Sequence, residues 1–234
     1  MAIYAIADPH LSGGQHKPMS IFGEQWQGHP DIFFERWRAT VTPKDTVLVP
    51  GDISWAMRLE DAQQDLDAIA ALPGRKVISK GNHDYWWASL SKLRSSLAEG
   101  MYALQNDALR LEQQDGPSLV VAAARGWNCP NSFDFSEHDV KIYHREAQRF
   151  RLSLEDAKRQ RREGDRFIAM LHYPPCNKHY QQSLFLDLLL EYEPETLVFG
   201  HIHGKENDFT LKAWGKSRLA LVSADTLAFI PLLL

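Results

Sequence analysis

The sequence predicts a layered α/β domain, with a sheet core and helices outside. Three observations predict it. Short runs of continuous apolar residues recur along the chain, as expected of strands buried on both faces. Segments with apolar residues at helical spacing lie between these runs. Gly, Pro or Asp flanks most of the runs and punctuates the alternation. The 234 residues, 44% hydrophobic and 24% charged, suffice for one domain (1–234) with a sizeable core.

The first strand is expected over residues 3–7 and ends on Asp8. A helix over 31–39 leads to a strand over 46–49, just ahead of Gly51-Asp52. In 59–72, Leu59, Ala62, Leu66, Ile69 and Ala70 fall on one stripe with Asp and Gln opposite, the pattern of an amphipathic helix. A strand over 76–79 precedes Gly81-Asn82-His83-Asp84, and a helix follows over 86–97. Further strands are expected over 119–124, 167–171 and 196–199, with a helix over 180–192. The closing Leu-Ala-Phe-Ile-Pro-Leu-Leu-Leu reads as a final buried strand, because no apolar stretch approaches the length of a membrane span. Residues 126–165 stand apart. They show no strand pattern, and a charged, solvated helix is expected over 138–162. The segment is either a surface excursion or a cap over a site.

The formal net charge of −4 offers no basic footprint for nucleic acid. That argues against a long polymer as partner and leaves a small anion open. Cys129 and Cys176 lie outside any C-x-x-C and read as reduced thiols, Cys176 as a packing residue. A first strand beginning at Ile3 leaves no room for a signal peptide, so a cytoplasmic location is expected, with no membrane association. The oligomeric state is left open.

Five polar blocks follow strand-like runs in order: Asp8-Pro9-His10, Gly51-Asp52, Gly81-Asn82-His83-Asp84, His172, and Gly200-His201-Ile202-His203. Rigid strands fix where loops begin, so side chains distant in sequence can converge outside their carboxyl ends. Asp8 and Asp52 offer carboxylate oxygen, Asn82 a neutral carbonyl, and His10, His172, His201 and His203 imidazole nitrogen. Mixed N/O donors without thiolate suit two divalent ions such as Mn, Fe, Zn or Co. Paired metals about 3.5–4 Å apart are a recurring device for hydrolysing phosphate esters. Gly51, Gly81 and Gly200 precede ligands, where either a positive φ or a close backbone approach would favour glycine.

These blocks resemble the calcineurin-like metallophosphoesterase superfamily, whose pattern is D-x-H, G-D, G-N-H-[DE], a lone His, then G-H-x-H. The resemblance runs from Asp8 to His203 without a substitution at a ligand position. It is closest to small bacterial predicted phosphohydrolases. It implies a two-sheet β-sandwich flanked by helices. It also implies one metal on Asp8, His10, Asp52 and His203, and the other on Asp52, Asn82, His172 and His201, with Asp52 bridging. With two carboxylates and a bridging hydroxide the inner shell then carries a formal charge of about +1, which favours a phosphate anion. The implied reaction is attack of that hydroxide on a phosphate mono- or diester. His83 would assist the leaving group and Asp84 would hold the His83 imidazole.

The same superfamily includes nucleases, and relatives that have lost ligands serve as non-catalytic binding scaffolds. The complete ligand set and His83 argue against a scaffold. The acidic balance argues against a processive nuclease. Arg58 is the one arginine close after Gly51-Asp52, and none closely follows Gly81-Asn82-His83-Asp84, which places a protein phosphatase lower. Arg125, Asn128 and His179 are weaker candidates to touch substrate. One of Trp86 and Trp87 is expected in the core and the other on the pocket wall; Tyr173 is open between the same two places. His16, His29, His138, His144 and His179 match no motif and are expected to be exposed.

Overall fold

The computed structural model describes residues 1–13, 17–113, 116–204 and 209–234. Its strands are β1 (Ile3–Ala5), β2 (Thr46–Pro50), β3 (Arg75–Ser79), β4 (Met101–Leu104), β5 (Asp107–Leu111), β6 (Leu119–Ala124), β7 (Arg166–Leu171), β8 (Thr196–Phe199), β9 (Ala213–Trp214), β10 (Ser217–Leu221) and β11 (Leu232–Leu233). The helices are α1 (His29–Thr40), α2 (Leu59–Ala70), α3 (Leu90–Ser96), α4 (Glu137–Gln160) and α5 (Leu184–Tyr192). Five strands form one sheet in the order β11-β1-β2-β3-β4, and six form another in the order β5-β6-β7-β8-β10-β9. β1 to β4 run parallel, as do β6, β7, β8 and β10. Antiparallel strands lie at the margins: β11, β5 and β9.

The alternation along each strand sorts side chains into three apolar layers. In β6, Leu119, Val121 and Ala123 face the other sheet's Ile3, Ala5, Leu48 and Val77. Val120, Ala122 and Ala124 point the opposite way, into a cluster with Phe150 and Leu154 of α4 and Phe185 and Leu189 of α5. On the other side, Val47, Val49 and Ile78 pack on Phe33 and Trp37 of α1 and Leu66 and Ile69 of α2. Strands buried on both faces explain the continuous apolar runs. The two-sheet sandwich flanked by helices is therefore the fold.

Several expectations are corrected in detail. The charged helix expected over 138–162 is α4, but it is solvated on one face only. α4 starts at a capping box of Ser136 and Asp139 and buries Tyr143, Ala147, Phe150, Leu154 and Ala157, while its opposite face carries the charges. The helix expected from Trp86 begins only at Leu90. Both indoles are buried, Trp86 donating to Asp84 Oδ1 (2.9 Å) and Trp87 to Gln105 Oε1 (2.9 Å). The C-terminal strand is only Leu232–Leu233, with Leu233 exposed; Ala228 (φ 48°) and Phe229 (φ 60°) turn the chain before it. α5 begins at Leu184, where Ser183 Oγ caps it by accepting from Leu186 N (3.1 Å). Among the described residues no helix is long and apolar enough to cross a membrane.

Candidate metal centre

Every metal-ligand candidate lies within a few residues of the carboxyl end of a parallel strand. Asp8 and His10 follow β1, Asp52 follows β2, and Asn82 follows β3. His172 follows β7, and His201 and His203 follow β8. Both sheets therefore contribute. The backbone is bent to deliver these side chains: Asp8 (φ 58°), His10 (46°), Asp52 (53°) and His201 (71°) are all in the left-handed region. Such a conformation costs a non-glycine residue about 1–2 kcal/mol, and it concentrates at functional sites.

Ligand atoms of Asp8, His10 and His203 lie within 4.8 Å of one another, as do those of Asp8, Asp52 and His172. His10 Nε2 and His203 Nε2 are 3.4 Å apart. Asn82 Oδ1 is 2.6 Å from His172 Nε2 and 2.9 Å from His201 Nδ1, which joins both residues to the second group. Asp52 Oδ2 stands 3.4 Å from His172 Nε2 and 3.9 Å from His10 Nε2. One oxygen thus faces both halves of the cluster.

A surrounding layer orients these ligands. His172 Nδ1 donates to the Pro50 carbonyl (3.0 Å), which turns Nε2 toward Asn82 and Asp52. His203 Nδ1 lies 3.0 Å from Asp225 Oδ1, and Asp225 Oδ2 accepts from Gly204 N (2.8 Å). His29, expected at the surface, is buried; its Nε2 lies 3.1 Å from the Pro9 carbonyl and 3.3 Å from that of His10, propping the loop that carries His10. No motif marks Asp225 or His29. His138, His144 and His179 are exposed, and His16 lies outside the described residues.

Glycine fits the three motif turns for different reasons. Gly51 has φ 91°, and a Cβ there would also stand 2.6 Å from the Gly81 backbone. At Gly81 a Cβ would overlap Asp52, and at Gly200 it would overlap Ala7 and Asp8, so close approach is the reason at both.

Burial dominates the electrostatics. It pushes Asp8 up to about 6 and His10 and His201 down to about 3, leaving two neutral imidazoles. Burial also opposes ionisation of Asp52, but His172 and His10 outweigh it and hold the carboxyl below the usual range. His172 is the counterpart: burial disfavours its charge, yet Asp52 and Asp8 raise it to about 9. Buried carboxylates here draw positive charge toward themselves. Asp8 Oδ1 is buried with no hydrogen-bond partner among the described residues. A divalent cation fits this donor set, because it would satisfy that oxygen and the clustered imidazole nitrogens together.

His83 is half-buried beside the cluster. Its ring lies 4.4 Å from that of Trp55 and 5.7 Å from that of His10, and the His83 backbone N–H donates to Asp52 Oδ1 (2.8 Å). His83 Nδ1 has no hydrogen-bond partner among the described residues, and burial lowers the pKa of the ring. Asp84 does not hold this imidazole. Its Oδ2 accepts from the N–H groups of Asp52 (2.9 Å) and Gly81 (2.8 Å); its Oδ1 accepts from Ile53 (2.8 Å), Ser54 (3.2 Å) and the Trp86 indole. Asp84 therefore ties two ligand loops together. Aromatic side chains that the motifs do not mark also pack against the cluster: Trp55 is stacked on His10 at 5.1 Å, and the Trp26 ring lies 5.8 Å from that of His10 and 5.6 Å from that of His203. Tyr173 is buried with its ring 4.1 Å from that of His201. Asn128 pairs with Asp134 instead of facing the cluster. Cys129 and Cys176 are free and buried, which pushes their thiols up to about 12 and about 11 and makes them unreactive.

Among solved structures, the chain is similar to a protein of unknown function, AQ665, from Aquifex aeolicus (TM-score 0.52, 15% identity, covering 99% of this chain and 95% of that one). It is also similar to phosphopantetheinyl hydrolase from Mycobacterium tuberculosis (0.57, 15%, covering 95% and 88%). A third is TT1561 of Thermus thermophilus (0.57, 14%, covering 94% and 87%). At such identities the likeness concerns the fold. A search of curated proteins finds no match. The model of the calcineurin-like phosphoesterase family matches residues 1–205, spanning all five polar blocks, and the chain belongs to that family.

Proposed function

We propose that this chain hydrolyses a small phosphate ester, with Asp8, His10, Asp52 and His203 holding one divalent metal ion and Asp52, Asn82, His172 and His201 the other. The observation that carries the reading is the convergence of all seven side chains from two sheets, with Asp52 Oδ2 facing both His10 and His172. Bound divalent ions would act as Lewis acids on the phosphoryl oxygens and make a water nucleophilic near neutral pH.

The protein's own contribution is placement. Asp84 fixes the Asp52 and Gly81 loops through backbone N–H groups. Pro50 and Asp225 orient His172 and His203. His83 is the candidate to donate a proton or hydrogen bond to the departing oxygen, because its Nδ1 is uncommitted and its ring sits beside His10. Such assistance is typically worth about 10²–10⁴-fold. Free thiols and a net charge of −4 are in keeping with a cytoplasmic enzyme acting on a small substrate.

The test is turnover of aryl phosphate mono- and diesters by protein reconstituted with Mn, Fe, Zn or Co. Hydrolysis that tracks metal content is expected, and the ratio of the two rates decides between monoesterase and diesterase. Full metal occupancy without turnover of either class would favour the scaffold reading.

A further inference from the structure

The carboxyl edge of the sheets also carries a polar cavity of about 130 Å³. Four cationic side chains line it: Lys80, Arg125, Arg145 and Arg149. Lys80 directly follows β3 and Arg125 directly follows β6, whereas Arg145 and Arg149 lie one turn apart on α4. The single acidic residue in the lining is Glu146, whose side chain is 1% exposed. It accepts from Arg149 Nη1 (2.7 Å), Arg145 Nη2 (3.2 Å) and Arg125 Nη2 (3.4 Å). Arg125 is also held from the other side, its guanidinium 4.6 Å over the Trp127 ring.

Glu146 therefore aims three guanidinium groups at one space but can neutralise only one charge. An ion-pair network that merely anchored α4 would match its cations with carboxylates. This lining places four cationic side chains against one carboxylate and so leaves most of its positive charge uncompensated within the cavity. Planar guanidinium forks recognise oxyanions in bidentate fashion. The cavity is also tied to the metal-ligand cluster. One residue separates Lys80 from Asn82, a Cα separation of at most about 7.6 Å. The Arg125 carbonyl accepts the N–H groups of His172 (2.9 Å) and Tyr173 (3.0 Å).

We infer that this cavity receives a second oxyanion, phosphate or carboxylate, of the substrate whose ester lies at the metal centre. Preferred substrates then carry two anionic groups, and α4 contributes to choosing them. The inference rests on the phosphoesterase reading above and adds the substrate class to it.

The test is calorimetric titration of metal-loaded, full-length protein with alkyl phosphonates. One series carries a second phosphonate at the far end, one carries a carboxylate there, and one carries a methyl group; linker length is varied within each. The best doubly anionic ligand should bind about 10-fold or more tighter than its singly anionic counterpart, the worth of one charged hydrogen-bonded contact. Which series shows the gain identifies the second anion. Arg145→Gln with Arg149→Gln should bring the ratio toward one. Glu146→Gln removes the internal counter-ion and should raise it, whereas Arg159→Gln, on α4 but outside the lining, should leave it unchanged. A ratio near one at every linker length overturns the inference, as does a ratio undiminished in the folded double variant. Should the double variant not fold, unchanged ratios in both Glu146→Gln and Lys80→Gln overturn it equally. Aryl phosphate turnover is measured on the same samples. Turnover with a ratio of one defeats this inference alone; absence of turnover defeats the phosphoesterase reading, while the titration still decides the cavity.

Discussion

Gly51→Ala tests how tightly the ligand loops are packed. Two penalties are expected. At φ 91° an L side chain is strained, by about 1–2 kcal/mol on the scale of left-handed backbone. The added Cβ would also stand 2.6 Å from the Cα and N of Gly81 and 2.8 Å from His172 Nδ1. Those first contacts are backbone, so relief requires the Gly81-Asn82 loop itself to move, and overpacking of this kind costs about 1–3 kcal/mol. The total is about 2–5 kcal/mol, which for a chain of this size lowers the melting temperature by roughly 4–20 °C. Because Asp52, Asn82 and His172 border the same contact, metal affinity should fall with stability. Gly28→Ala provides the control: φ is 65° and nothing lies within 4 Å of its Cβ, so only the conformational penalty applies. Thermal and denaturant unfolding of the metal-free variants, with metal titrations alongside, measure both quantities. If Gly51→Ala loses no more stability than Gly28→Ala and binds metal like the parent, the packing argument is wrong.

Four further outcomes are expected. Asp52→Asn should weaken both metal sites, because a neutral amide bridges two cations poorly; elemental analysis showing two tightly held equivalents would contradict this. His83→Gln should keep its metal and lose about 10²-fold or more in kcat on a poor leaving group, with a smaller loss on nitrophenyl phosphate, whose leaving group needs no proton. Asp225→Asn should lower metal affinity about 10–100-fold through loss of the carboxylate that orients His203, as read by competition with a chelator. Arg110 donates to Asp165 through Nε (2.7 Å) and Nη2 (3.1 Å) and holds that carboxyl below its usual range. A depressed folded-state pKa stabilises above the unfolded value of about 3.9. The parent's advantage over Arg110→Gln in denaturant midpoint should therefore persist at neutral pH and vanish as pH falls through the folded pKa of Asp165; a gap that widens in acid would refute the pairing.

The sequence was most legible where burial was symmetrical. Residues 119–124 form β6 as expected, because an apolar run is what a strand covered on both faces requires. β10 gave no such signal: it opens with Ser217-Arg218 and leaves Arg218 exposed. β5 sits at a sheet margin with Asp107 and Arg110 in its run. The seven ligand candidates were legible because each follows a strand end closely. Asp84 was legible as important but not in its partners, since a sequence does not tell which backbone N–H groups a buried carboxylate will meet. Asp225 and His29 act through single contacts whose residue spacing carries no motif. The left-handed backbone at Asp8, His10, Asp52 and His201 was hidden for the opposite reason: ligand chemistry forbids the glycine that would have announced it.

The division of the ligands between the sheets has a consequence for the protein's lifetime. Of the candidate ligands, Asp8, His10, Asp52 and Asn82 belong to one sheet and His172, His201 and His203 to the other, so an ion held by them would span the seam of the sandwich. Opening that seam would then mean releasing metal. At free metal a hundredfold above its dissociation constant, each ion binding only the folded chain adds about 2.7 kcal/mol of stability. Metal starvation would then weaken the chain where its buried carboxylates and imidazoles meet, and the abundance of folded protein would follow metal supply.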